Sequence, residues 1–177
     1  MRKVSAAKWA PVALMVGVLA AIYVIIAGKL GLILWAAFIS WPLYFLAGAT
    51  IKKMDEAVIG LSGGLIAGWG LIKLMPIFSG AFGGWTLPVL VVIVAFIIVF
   101  LEIVPEFNMA PAYFFSFASF FAAMGSINLA TGQPYGPGFD TVIKLWIPLM
   151  IGLVFAFISV KMVNKMLQVQ GVRPAGE

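Results

Sequence analysis

The sequence predicts an all-α integral membrane protein with six transmembrane helices, and both its composition and its apolar segments support that prediction. Of the 177 residues, 64% are hydrophobic and 10% are charged, whereas an ordinary soluble domain is about 25% charged. The chain therefore has too few charges to coat a surface that faces water. Six apolar segments each approach the roughly 20 residues that a helix needs to cross a bilayer, and none has the alternating polarity of β-barrel strands.

The connections between these segments suggest two halves. The uncharged stretch Pro76–Gly84, rich in Gly, Pro and Ser, is predicted to be a loop that divides them. The stretch Asn128–Asp140 is predicted to be a second loop, either a plain connector or a partial lid over an entrance. The predicted spans are Trp9–Ala27, Leu30–Ala49, Ala57–Met75, Trp85–Val104, Met109–Ile127 and Thr141–Val163. Residues 1–177 form a single membrane domain, with halves at about 1–76 and 85–163 and a basic tail at 164–177.

The positions of lysine and arginine predict that both ends of the chain lie in the cytoplasm. Positive residues accumulate on the inner side of a membrane, and six spans with a cytoplasmic N-terminus place most of the 11 basic residues there. The inner residues are then Arg2, Lys3, Lys8, Lys52, Lys53, Lys161, Lys165 and Arg173, and the outer ones are Lys29, Lys73 and Lys144.

A pattern of aromatic residues and serine occurs twice, in Ala37–Gly48 and in Pro111–Gly125. With Ser116 set over Ser40, both stretches read aromatic-x-Ser-aromatic-x-x-aromatic-aromatic. Either two apolar helices match by chance, or the halves are related. Three spans per half is an odd number, so related halves would be inverted relative to each other, as in many transporters. A solute path is then predicted between the second and fifth helices.

Polar groups at membrane depth define the predicted path. Pro42 cannot donate a hydrogen bond to the carbonyl of Phe38 and is expected to kink the second helix. The freed groups are either satisfied by Ser40 within the protein or form a hydrogen-bonding station for a solute. Glu102, near the end of an apolar span, is either a cation or proton site or a residue that reaches the cytoplasmic interface. The predicted path residues are Ser40, Trp41, Tyr44, Ser116, Phe117, Ser119 and Glu102.

The third span carries Gly60, Gly64 and Gly68 at four-residue spacing, which places them on one smooth face of a helix. In lipid, such a face lets a neighbouring helix approach closely. These glycines are predicted to be packing residues, used either by another helix of the same chain or by a partner protein.

Several classes of function are excluded or disfavoured by composition. The absence of Cys and His removes thiolate nucleophiles, imidazole bases and most transition-metal sites. No phosphate-binding loop or nucleophile elbow is present, and no basic block suggests nucleic acid. We therefore expect no enzyme activity, catalytic residue, metal or cofactor. The expected partners are the lipid bilayer and a small-molecule solute, with a homo-oligomer left open.

Short motifs along the chain resemble a known family. They are Trp35 with Phe38, Tyr44-Phe45, Ser62-Gly63, Gly68-Trp69-Gly70, Ile103-Val104-Pro105, Phe107 and the aromatic run Phe114–Phe121. The chain resembles the small bacterial inner-membrane proteins of domain-of-unknown-function family 1097 from about Trp9 to Val163. This resemblance implies a compact multi-span bundle in the bacterial inner membrane and supplies no activity. A fainter likeness, at Pro105–Asn108, is to the pore elements of urea transporters, although Glu106 interrupts the pattern.

These observations predict a channel or transporter for a small, polar, neutral solute. The scarcity of ionisable residues disfavours strong ion coupling. The alternative is a non-transporting accessory or scaffold subunit that packs on a partner through the glycine face of the third helix.

Overall fold

The computed structural model describes residues 5–128 and 131–169, and the regular structure in that part of the chain is helical. Two short 3-10 turns, Gly83–Trp85 and Pro105–Phe107, precede the fourth and fifth α-helices. The predicted inner positions of Arg2, Lys3 and Arg173, and most of the basic tail, lie outside the described residues. The helices are α1 Ala6–Leu30, α2 Ala37–Leu46, α3 Ile51–Phe82, α4 Thr86–Leu101, α5 Ala110–Met124 and α6 Phe139–Val169.

The prediction of six full-length spans is not confirmed. Three helical stretches are long and apolar enough to cross a membrane, namely Trp9–Leu30, Ile51–Leu101 and Phe139–Val169, and the second contains both α3 and α4. By contrast, α2 and α5 have 10 and 15 residues. At 1.5 Å per residue they reach only about 15 and 22 Å of a hydrocarbon layer about 30 Å thick. The chain is an all-helical membrane protein in which two apolar helices are short.

Glycine geometry explains why α2 is shorter than its apolar segment. Gly31 adopts a φ of 62° and ends α1, and Gly48 adopts a φ of 95° beyond the end of α2. The chain between Gly31 and Ala36 is not regular helix. A left-handed backbone at a glycine costs little and breaks the helix at a fixed place.

The prediction of a loop at Pro76–Gly84 is wrong over most of that stretch, because α3 continues to Phe82. Proline is tolerated inside membrane helices, where neighbouring groups satisfy the disturbed backbone. The chain reverses at the 3-10 turn Gly83–Trp85, whose first residue, Gly83, has a φ of 50°. Ile98, near the end of α4, shares a packed cluster with Ile59, near the start of α3, so these two helices run antiparallel.

The helices pack in two groups of three. We call α1, α2 and α6 the first bundle, and α3, α4 and α5 the second bundle. In the first bundle, Tyr23 of α1 and Ala37 of α2 pack against Phe155 of α6. In the second bundle, Ile98 of α4 and Tyr113 of α5 pack beside α3. Each bundle therefore contains helices from both halves of the sequence, and a larger apolar core lies between the bundles.

Candidate functional site

Three glycines of α3 lie directly against α5. The neighbouring positions, in chain order, are Gly60 with Ala112, Gly64 with Ser116 and Gly68 with Phe120. Because the numbers rise together, the two helices run parallel. A Cβ atom on Gly64 would overlap the carbonyl oxygen of Tyr113 and the Oγ of Ser116. The glycine face is thus filled by α5 of the same chain and is not open to a partner protein.

A second serine–glycine contact joins α2 to α6. Ser40 Oγ donates a hydrogen bond to the carbonyl oxygen of Leu149 at 2.6 Å. A Cβ atom on Gly152 would overlap Ser40 Oγ and the carbonyl oxygen of Ala37. At both crossings, a serine hydroxyl and the carbonyl three residues before it close around a glycine of the longer helix. Ser40 and Ser116 thus have matching surroundings, as their shared sequence pattern suggests.

The serine hydroxyls of the predicted path are engaged with the backbone. Ser116 Oγ lies 3.0 Å from the carbonyl oxygen of Ala112 and 3.4 Å from that of Gly60 on α3. Ser119 Oγ donates to the carbonyl oxygen of Phe115 at 2.7 Å. Since a hydroxyl has one hydrogen to donate, these serines serve helix packing in the described conformation.

The aromatic residues of the predicted path do not share one surface. Trp41 and Tyr44 are both buried in the core shared by the two bundles. The Trp41 ring lies 5.5 Å from the Phe155 ring of α6, in an edge-to-face arrangement. Phe117 is only partly buried, and its ring contacts that of Phe121 at 5.0 Å.

Glu102 lies at the corner between α4 and α5. Its Oε1 accepts a hydrogen bond from the backbone N–H of Ala110, the first residue of α5, at 3.0 Å. A carboxylate at a helix N-terminus satisfies a free N–H and opposes the positive end of the helix dipole. Glu102 therefore holds the start of α5 in place.

Replacing Glu102 with Ala is expected to lower the unfolding free energy by about 0.5–2 kcal/mol, the usual cost of losing such a cap. The matched control is Glu106→Ala, because the Glu106 side chain is exposed and should tolerate truncation. Thermal unfolding of the two variants in one detergent measures the difference. Equal midpoints would show that Glu102 does not cap α5.

A cavity of about 420 Å³ lies beside the irregular segment that precedes α2. Its walls are Leu32–Trp35, Gly125–Ile127 and Tyr135. Two tyrosines that sequence reasoning missed fix this segment. Tyr23 donates to the carbonyl of Ile33 at 2.8 Å, and Tyr135 donates to that of Gly31 at 3.2 Å. Burial raises the pKa of the Tyr135 hydroxyl, so it stays protonated as a donor at neutral pH.

A second cavity, of about 190 Å³, lies between α3 and α6. Trp146 Nε1 on α6 donates to Ser62 Oγ on α3 at 2.9 Å beside it. Its walls are Ser62, Ile66, Phe139, Val142, Ile143 and Trp146. Within residues 5–128 and 131–169, no group of three acidic residues could hold a metal ion.

Of the four residues that form the two serine–glycine contacts, Gly152 is the one that the sequence did not predict. It lies alone in an apolar run, without the four-residue spacing that marks Gly60, Gly64 and Gly68. The signal that could have found it is the matching serine, since Ser40 and Ser116 each need a glycine to pack against.

One comparison with known proteins gives a match. The sequence model of the family described as "Protein of unknown function (DUF1097)" matches residues 13–164, which confirms the resemblance read from the motifs. No curated protein and no solved structure matches the chain.

Proposed function

The chain belongs to the DUF1097 family of proteins of unknown function, and from its geometry we propose that it is a membrane channel or transporter for a small, neutral, polar solute. The observation that carries this proposal is the pair of short apolar helices, α2 and α5, at corresponding places in the two halves. Short or interrupted apolar segments in corresponding positions are the feature that best points to the substrate site of a transporter. The solute path then lies between α2 and α5.

The proposal includes two inverted halves, and the burial pattern of their longest helices supports it. The buried positions of α3 and α6 follow the same spacing. In α3 they include Ala57, Gly60, Leu61, Gly64, Leu65, Gly68 and Leu71, and in α6 they include Leu145, Pro148, Leu149, Gly152, Leu153, Ala156 and Ser159. When Gly64 is matched with Gly152, seven of the eight buried positions of α3 match buried positions of α6, whereas Glu56 of α3 and Thr141, Val142 and Leu167 of α6 have no buried counterpart.

Charged residues of the two helices also keep the same spacing. Lys73 lies over the ring of Trp69 at 5.9 Å, and Lys161 lies over the ring of Phe157 at 4.4 Å. These residues correspond under the same match. Near the start of α3, Lys52 faces Glu56 at 4.0 Å, and near the start of α6, Lys144 faces Asp140 at 3.1 Å. These two ion pairs also correspond, with their charges exchanged.

The contacts of the two less exposed acids support the proposal of a neutral solute. Glu56 is buried and pairs with Lys53 and Lys52, and Glu102 caps α5. Ionisable residues within a membrane mark ion and proton paths, and in the described conformation both of these acids are engaged in contacts that hold the helices. We place the protein in the bacterial inner membrane with both termini in the cytoplasm. Assembly into a homo-oligomer stays a prediction.

The test is osmotic swelling of liposomes that contain the purified protein. With urea, glycerol or a small amide as the permeant, we expect swelling several-fold faster than in protein-free liposomes for at least one solute. A charged solute of similar size serves as the control and should not enter faster. Swelling at the protein-free rate with every neutral solute would reject the transport function.

A further inference from the structure

Directional contacts join the helices inside each bundle. In the first bundle, Ser40 of α2 donates to Leu149 of α6, and the ring of Tyr23 on α1 lies 6.5 Å from that of Phe155 on α6. In the second bundle, Ser116 lies in the Gly64 contact with α3, and Glu102 caps α5. These contacts combine close backbone approach with hydrogen bonds, the features that hold helices together in lipid.

The contact between the bundles is different in kind. Among the described residues, one side-chain hydrogen bond joins a helix of one bundle to a helix of the other, and it runs from Trp146 to Ser62. The remaining contact is mainly apolar, with side chains such as Leu65 and Leu153 in a common core. Dispersion contacts are individually weak but collectively hold this core together. Because they are non-directional, the bundles can change their angle while the core stays packed, whereas each serine–glycine contact fixes two helices in one register.

Both cavities lie between the bundles. The smaller one separates α3 from α6. The larger one has Leu32–Trp35, before α2, on one side and Gly125–Ile127, after α5, on the other. Tyr135 joins the two sides, because its N–H donates to the carbonyl oxygen of Ser126 at 3.1 Å and its hydroxyl donates to that of Gly31 at 3.2 Å. A change in the angle between the bundles that widens this cavity must therefore break one of these two hydrogen bonds.

The two sequence halves cannot be the moving parts. Separating residues 1–76 from residues 85–163 would break the contact of Ser40 with Gly152 and also that of Gly64 with Ser116. At each of these contacts, backbone atoms of the neighbouring helix lie where a glycine Cβ atom would be. The first bundle contains α6 from the second half of the sequence, and the second bundle contains α3 from the first half. The bundles can therefore move relative to each other with both contacts intact.

We propose that solute movement depends on a change in angle between the two helix-exchanged bundles, and that the cavity bounded by Leu32–Trp35 and Gly125–Ile127 is the entrance that this change opens and closes. This inference rests on the proposed transport function. It adds which helices move together and where the solute enters.

Cross-linking tests the proposal, since the chain has no cysteine. The pair Ser62→Cys with Trp146→Cys spans the bundles, and the pair Ile59→Cys with Ile98→Cys lies within the second bundle. Because the indole of Trp146 supplies most of the reach to Ser62, each pair is joined by a short, reducible bifunctional thiol reagent and not by direct oxidation. Linking the first pair should reduce solute flux at least tenfold, and a reductant should restore it. Linking the second pair should leave flux within twofold. Unchanged flux after the first cross-link, or equal loss with both, would overturn the proposal.

A distance measurement tests the bundles even if the protein moves no solute. Spin labels on Leu14 of α1 and Phe100 of α4, both exposed, span the bundles, whereas labels on Ile77 and Phe100 lie within the second bundle. Pulsed electron resonance in lipid should give a broad or two-peaked distance distribution for the first pair and a single narrow peak for the second. Narrow peaks for both pairs would reject the moving bundles. Absence of flux with a two-peaked first pair would reject only the transport function.

Discussion

A single added methyl group at Gly64 or at Gly152 is expected to destabilise the protein by about 1–3 kcal/mol, the usual cost of overpacking a tight contact. At Gly64 the new Cβ atom meets the carbonyl oxygen of Tyr113. At Gly152 it meets the carbonyl oxygen of Ala37 and lies 2.9 Å from the Cα of that residue. Backbone atoms cannot rotate away as a flexible side chain can, so the helices must separate.

The matched control is Gly70→Ala on α3. A Cβ atom on Gly70 meets nothing within 4 Å, and alanine is favoured over glycine inside a helix by up to ~1 kcal/mol. This variant should be as stable as the parent protein or slightly more stable. Unfolding of all three variants by titration with a denaturing detergent gives the comparison.

The comparison also tests whether the two contacts are equivalent. Similar losses at Gly64 and Gly152 are expected if α2 sits on α6 as α5 sits on α3. A large loss at Gly64 with none at Gly152 would show that the contacts differ, and would weaken the case for related halves.

The membrane class and the packing residues could be predicted from the sequence. Low charge and long apolar runs predict a membrane environment for the chain. The spacing of Gly60, Gly64 and Gly68 identified a close helix contact, and the aromatic pattern identified Ser40 and Ser116 as a matched pair. These features are local, because they depend on residues one helical turn apart.

Helix ends and helix partners could not be predicted in the same way. Apolar composition does not show that α2 starts as late as Ala37, because the helix is shortened by the backbone at Gly31 and Gly48. The stretch around Pro76 has the composition of a loop, yet it is helix. The pairing of α2 with α6 is a tertiary choice, and Gly152 carries no repeated spacing that would reveal it.

The predicted path residues illustrate the same limit. The shared aromatic and serine pattern placed Trp41, Tyr44 and the serines on the second and fifth helices, and the structure does bring those helices into one core. However, the serine hydroxyl groups that the sequence made candidates for solute binding donate hydrogen bonds to backbone carbonyls in the structure. Only the folded packing shows which polar groups remain for a solute.

Opposite orientation of the two halves underlies both the proposed path and the exchanged bundles, and cysteine labelling measures it. When Gly64 is matched with Gly152, Gly80 near the end of α3 matches Gln168 near the end of α6, and both are exposed. Single Gly80→Cys and Gln168→Cys variants remove no charge, so they leave the signals that set membrane orientation unchanged. Each introduced thiol is the only one in its chain.

A membrane-impermeant maleimide applied to sealed, right-side-out vesicles distinguishes the two faces of the membrane. Inverted halves predict nearly complete labelling of the Gly80→Cys protein and almost none of the Gln168→Cys protein until the vesicles are permeabilised. Labelling of both proteins from the same side of intact vesicles would contradict the inverted arrangement.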